Sequence, residues 1–280
     1  MKHLLREVLL RLGLLGYVAT VYCAARPRTI YHNLPYWLKG APDRLPIPPL
    51  RLRSLVWREY ADLRTFFEEE HRVDRMLDIL DRTGSETQAF RAILDFGCGA
   101  GRAVRQFASL KRRLAHAMIY GSDINPKQID WCRRNFPFAR FDLNQAYPPV
   151  AYRSETFDLI YTFSVFTHLS ESQQCAWIDE LARLLRPGGY LVLTTCGESY
   201  FETLTEQEKR EFRDKQLVVR HDEQAGVPST YAECIVFHPQ TYVQRNLMRG
   251  FDLIHFSPGI PSANGPKSEL DYYYLRKQAL

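Results

Sequence analysis

Four short stretches carry residue types that could hold or transform a small ligand. The first is Asp95-Phe96-Gly97-Cys98-Gly99-Ala100-Gly101-Arg102, entered through the apolar pair Ile93-Leu94. Glycine reaches positive φ without a steric cost and lets a ligand approach the backbone. A helix predicted to leave this turn would aim its unpaired N–H groups at the same spot. The second is Asp123, which lies 22 residues beyond Gly101. A carboxylate at a strand end can accept from both hydroxyls of a ribose. Asp123 also precedes Ile124-Asn125-Pro126, so capping the next helix is the alternative reading of it. The third is Asp142-Leu143-Asn144, where a solvated loop is the plain alternative. The fourth is Ser164-Val165-Phe166-Thr167-His168-Leu169. Histidine changes charge near neutral pH and suits proton transfer, although the alternative readings of His168 are that it only holds its loop or contacts the ligand. His221 and His238 are further candidates of the same kind, and Glu198, Tyr200 and Tyr231 are candidates to line a pocket.

The glycine spacing discriminates between ligands. A dinucleotide turn reads G-x-G-x-x-G/A, its last glycine allowing close helix–strand packing. Here the third glycine comes one residue early, and Arg102 occupies the expected position. The pattern Asp95-x-Gly97-x-Gly99-x-Gly101 resembles motif I of class I S-adenosylmethionine-dependent methyltransferases. The run Ser164-Val165-Phe166-Thr167-His168-Leu169, followed by Leu185-Arg186-Pro187-Gly188-Gly189, resembles the corresponding later pattern of the small-molecule members. The resemblance covers about residues 93–195 and runs on more loosely to the C-terminus.

It implies an α/β fold with a doubly wound, mostly parallel, seven-stranded Rossmann-like sheet, and S-adenosyl-L-methionine as cofactor. Asp95, Gly97, Cys98, Gly99 and Gly101 would lie against the amino acid part and ribose of that cofactor. Asp123 would take the ribose hydroxyls and Ile124 would touch the adenine face. Asp142 or Asn144 would meet the adenine amino group, Leu143 the ring, and Ser164 would add a further contact. His168, just past the fourth strand, would stand near the projecting methyl as a candidate base. No metal site is expected. The implied reaction is methyl transfer to a hydroxyl or similar nucleophile of a small molecule, sugar or lipid-linked intermediate. Two rivals stay open: a non-catalytic cofactor-binding module, and a nicotinamide-dependent oxidoreductase, against which the glycine spacing and Arg102 argue.

Parallel strands alternating with helices must position these residues, because open parallel sheets bind ligands beyond the carboxyl ends of their strands. Apolar runs predict strands at 92–96, 117–122, 139–142, 157–163, 190–195, 234–237, 251–256 and 270–275, the last antiparallel. Amphipathic periodicity predicts helices at 54–81, 102–114, 126–135, 172–185 and 240–249. Pro187-Gly188-Gly189 reads as a turn. The polar stretch 197–238, with one helix near 206–212, breaks the rhythm and reads as an inserted lid. The expected division is an N-terminal apolar helix and proline-rich linker over 1–53, then the cofactor domain over 54–280.

At 280 residues with 45% apolar and 25% charged residues, the chain has globular proportions. A net charge of +5 without a dense Lys/Arg run does not argue for nucleic acid, and no nucleic acid partner is expected. The six cysteines are scattered without C-x-x-C or zinc spacing, which suits reduced thiols in a cytoplasmic protein. Residues 1–25 are the oddest segment. Leucines at helical spacing carry Lys2, Arg6 and Arg11 between them, and an apolar run follows that is too short for the ~20 residues of a spanning helix. Either this helix docks on the protein or a second copy, or it lies in a membrane interface with its basic residues outward. Pro27 to Pro49 reads as an extended linker.

Overall fold

The β1 run Ala92–Phe96 is buried at every residue because helices cover both faces of the sheet it founds. Ile93 and Asp95 point to one face, Ala92, Leu94 and Phe96 to the other. The computed structural model describes residues 15–56, 58–67, 71–214, 216–221, 234–261 and 269–279.

In chain order, the N-terminal part comprises helices α1 (Leu15–Ala25), α2 (Pro27–Lys39), α3 (Leu50–Val56), α4 (Leu63–Phe67) and α5 (Arg72–Arg82). Then come β1, β2 (Met118–Asp123), α6 (Pro126–Asn135), β3 (Ala139–Leu143), β4 (Phe157–Thr162), α7 (Glu171–Leu184) and β5 (Leu185–Thr195). The inserted part holds α8 (Glu206–Arg213), β6 (Val218–His221) and β7 (Cys234–Phe237), and the chain closes with β8 (Phe251–Ser257) and β9 (Asp271–Lys277). The main sheet has seven strands in the order β3-β2-β1-β4-β5-β9-β8. Only β9 runs antiparallel to its neighbours. The direction of winding reverses between β1 and β4, which places the switch point beside Asp95.

One face is packed by Val73, Met76, Leu77 and Leu80 of α5 with Ile129 and Cys132 of α6. The other is packed by Trp177, Ile178, Leu181 and Leu184 of α7 with Tyr242, Val243 and Leu247. Asn125 caps α6 by accepting from the N–H groups of Lys127 and Gln128, with Pro126 in the first turn. Ser170 and Gln173 form a capping box at α7.

Several sequence expectations are corrected. Residues 102–114 do not form an α-helix; only Val104–Ala108 forms a short 3-10 segment. Tertiary ties override propensity there. The Arg105 guanidinium is drawn to Asp43 and Gln106 accepts from the Val73 N–H. Arg113 bonds Asp74, Asp78 and Asp81 at 2.7–2.8 Å. The expected helix N-terminus at the glycine turn is therefore absent. The linker expected over 27–49 is helical in its first part, α2, because Pro27 fits a first helical turn. The helix expected over 54–81 is broken after Val56 and again after Phe67, leaving the 3-10 turn Arg58–Ala61, α4 and α5; the buried guanidinium of Arg53 in α3 holds the first break by donating to the carbonyls of Pro48, Tyr60 and Ala61. Pro187-Gly188-Gly189 is a bulge inside β5: Phe157 pairs with Leu185, and Leu159 pairs with Tyr190. The helix expected at 240–249 is one α-turn at Gln240–Tyr242 running into a π-helix at Val243–Leu247. β7 pairs with β6 in a separate two-stranded sheet. Of the helix read over 1–25, residues 1–14 lie outside the described residues.

Candidate cofactor and acceptor site

Four loops meet at the carboxyl ends of β1 to β4. Asp95 ends the apolar run of β1 and is buried, and its Oδ2 has no hydrogen-bond partner among the described residues. Burial lifts its carboxyl to about 8; the Asp123 charge adds to this, while the Tyr161 hydroxyl and the charges of Arg102 and Arg72 oppose it. The turn that follows is fixed by backbone bonds. The N–H groups of Gly97 and Cys98 both donate to the Ser122 carbonyl, at 2.8 and 2.9 Å. Gly97 and Gly101 have φ of +80° and +76°. A Cβ at Gly97 would sit 2.3 Å from Val165 Cγ2, and one at Gly101 would sit 2.4 Å from Phe136 Cε2. These glycines let the turn lie against the loop after β4 and the end of α6. Cys98 is turned into the core beside Cys132, and burial raises its thiol. It could meet a ligand only through backbone.

Asp123 does not cap α6, since Asn125 does. Its Oδ2 accepts from Gly99 N–H and its Oδ1 from Asn125 N–H, both at 2.8 Å. Each oxygen keeps a second lone pair for a hydroxyl donor. Burial raises this carboxyl, and the N–H bonds from Asn125 and Gly99 counter that. Ile124 beside it is half-buried. The third loop separates its candidates. Asp142 is exposed and accepts from the Tyr152 hydroxyl at 2.8 Å. Asn144 donates its backbone N–H to the Asp123 carbonyl, and its buried Oδ1 has no partner among the described residues. Leu143 is exposed between them. The geometry thus brings Asn144, rather than Asp142, to Asp123.

Ser164 has φ of +60°, a conformation that L side chains rarely adopt and that clusters at functional sites. Its N–H donates to Thr194 Oγ1 at 2.8 Å. His168 closes the short turn Phe166–His168 and bonds the Cys234 carbonyl through Nδ1 at 2.9 Å. A carbonyl only accepts, so Nδ1 carries the proton and the neutral ring keeps its lone pair on Nε2. Burial holds its pKa below the usual histidine range. His238 is not brought to this turn's end: it is fully buried, bonded to Gln174 Oε1, and pushed down to about 3 by burial. His221 is exposed at the end of β6, Glu198 accepts from Gln240 N–H, and Tyr200 packs near Phe237 in the inserted part. Tyr231 lies outside the described residues.

Sequence reasoning missed Arg72 and Arg102. Arg72 is buried with its guanidinium 4.9 Å from the Phe163 ring centre, and Arg102 lies 4.8 Å from that of Tyr60. Arg102 was visible as the residue directly after the third glycine; nothing in the spacing marked Arg72. A buried carboxyl with an open lone pair, a second carboxyl suited to a diol, and two nearby guanidiniums match the polar groups of S-adenosylmethionine.

This switch-point site and sheet order define the class I Rossmann-like methyltransferase fold. A methyltransferase-domain family model matches residues 67–256, and the chain belongs to that family, whose cofactor is S-adenosylmethionine. A tRNA N(3)-methylcytidine methyltransferase of Schizosaccharomyces pombe is 26% identical over 167 residues, covering 56% of this chain and 65% of that protein. A malonyl-[acyl-carrier protein] O-methyltransferase of a Paenibacillus species is 32% identical over 131 residues, covering 44% and 45%. The chain thus spans about half to two thirds of the length of these relatives. A SAM-dependent methyltransferase structure from Methanosarcina mazei superposes with a TM-score of 0.54 at 18% identity, covering 72% of this chain and 98% of that one. That likeness concerns the fold.

Proposed function

We propose that the protein transfers a methyl group from S-adenosylmethionine to a hydroxyl or similar nucleophile of a small molecule, sugar or lipid-linked intermediate. The observation that carries this reading is the convergence of Asp95, Asp123, Asn144 and Ser164 at the switch point, with the Nε2 lone pair of His168 on the adjoining turn. Bound S-adenosylmethionine supplies a methyl already activated on a sulfonium. Asp95 holds the ammonium of its amino acid part, Arg72 and Arg102 its carboxylate, and Asp123 its ribose hydroxyls. Ile124, Leu143 and Asn144 hold the adenine. Holding donor and acceptor in line is worth roughly 7–11 kcal/mol at best. His168 Nε2 takes the proton from the acceptor hydroxyl, a contribution of about 10²–10⁴-fold. The segment 197–238 serves as the lid that excludes water.

The name of the Paenibacillus relative gives an oxygen acceptor, which supports this choice. The fission yeast relative's name gives tRNA, and that is the second reading. Labelled S-adenosylmethionine incubated with fractionated lipid, glycan, small-molecule, protein and RNA pools distinguishes them, with Asp123→Ala as control. Label in a lipid, glycan or small-molecule pool that vanishes with the variant is expected. Asp123-dependent label in RNA would replace the reading. Binding of S-adenosylhomocysteine with no label in any pool would favour a non-catalytic binding module.

A further inference from the structure

Helix α2 is inside out. Thr29 and Asn33 are its buried residues. Asn33 donates to the Ala61 carbonyl and accepts from the Leu63 N–H, His32 bonds Asp62 at 2.7 Å, and Tyr36 stacks on Phe67. At 100° per residue these positions share one side of the helix. The opposite side carries Ile30, Tyr31, Leu34, Trp37 and Leu38, all exposed, with Tyr31 and Leu38 at 75% and Trp37 at 59%. On α1, Val18, Val21 and Tyr22 are exposed as well. Amphipathic helices of water-soluble proteins turn this side inward, and contiguous exposed apolar faces mark interaction surfaces.

We propose that this face docks on an anionic lipid bilayer. Charge selects that occupant. Arg28 and Lys39 are exposed beside the apolar stripe, and Arg26 at the α1–α2 junction pairs with Glu59. Over residues 1–39 the basic side chains are Lys2, Arg6, Arg11, Arg26, Arg28 and Lys39, against the single acid Glu7. A two-fold contact with a second copy would set these cations against themselves. Exposed tyrosine and tryptophan beside basic residues suit the headgroup boundary. No helix among the described residues is long and apolar enough to cross a membrane, so α2 lies along the surface. The inward polar bonds keep α2 on the protein while its outer side enters the lipid.

The full chain should co-sediment with phosphatidylglycerol-containing vesicles and far less with pure phosphatidylcholine, the binding weakening as salt shortens the reach of its charges. Trp37 emission should shift to the blue on binding, and Trp37→Phe should remove that shift. The double variant Leu34→Glu/Leu38→Glu alters exposed positions only; with an unchanged melting midpoint, it should lose at least about tenfold in partitioning. Arg28→Gln and Lys39→Gln should each cost about fivefold. Wild-type protein left in the supernatant with anionic vesicles would overturn the proposal, as would equal binding by the double glutamate variant. A wild-type dimer that the glutamate variant dissolves, without vesicle binding, would assign the face to a second copy instead.

Discussion

The switch-point corner and the N-terminal helical layer both bury polar groups, but they use them differently. In the layer, Asn33 has its amide bonded at both ends, and Arg53 spreads its guanidinium over three carbonyls. In the corner, Asp95 Oδ2 and Asn144 Oδ1 are buried without partners among the described residues, and Asp123 retains acceptor capacity. Satisfied buried polarity fastens segments together, whereas unsatisfied buried polarity is costly and marks a place where another molecule completes the bonds.

Substitutions can break that contrast. The largest expected effect is at the acceptor side: His168→Ala should lower kcat by roughly 10²–10⁴-fold, leaving S-adenosylhomocysteine affinity within about twofold. Equal losses in both would make His168 a loop support. Asp123→Ala should weaken S-adenosylhomocysteine binding by about 100-fold or more, since hydrogen bonds to a charged group contribute ~1.5–3 kcal/mol each; calorimetry reads this directly. Arg53→Met should do the reverse. It leaves three carbonyls short of a donor, so denaturant melts should show a loss of about 3 kcal/mol with ligand affinity little changed.

Acidity sharpens the comparison further. Burial, only partly opposed by the Tyr161 hydroxyl and the Arg102 and Arg72 charges, lifts the Asp95 carboxyl to about 8, and ammonium binding favours its ionised form. Below that value binding must expel a proton, so affinity should rise with pH by up to about tenfold per unit between pH 6 and 8, then flatten. Asp95→Asn should bind weakly with no such slope, and a slope that survives the substitution would point to another group. The smallest effect belongs to the outer side of α2, where Leu38→Ala should shift stability by less than about 0.5 kcal/mol.

The corner was legible because its chemistry is local. The apolar run of β1, the Asp–glycine spacing and Pro126 in the first turn of α6 are each set by neighbours within a few residues. What sequence reasoning misread depends on distant partners. Residues 102–114 read as a helix until Arg105 and Arg113 are seen tied to acids some 30 to 60 residues upstream. The prolines of 27–49 read as a linker because Asn33, which docks α2, bonds residues about 30 positions downstream. Arg72 escaped notice for the same reason: its approach to Asp95 is made by folding α5 onto the sheet. Choosing between Asp142 and Asn144 required the β2–β3 register, which sets Leu143 opposite Asp123.

The bond from His168 to the Cys234 carbonyl ties the turn that carries the proposed base to strand β7. The tautomer of the imidazole therefore reports where that strand is. With β7 seated, the proton is pinned to Nδ1 and the lone pair stays on Nε2. With β7 displaced, the proton can settle on either nitrogen and the ring can turn. With His168 as the proposed base, the seating of β7 and the readiness of that base are coupled through this one bond.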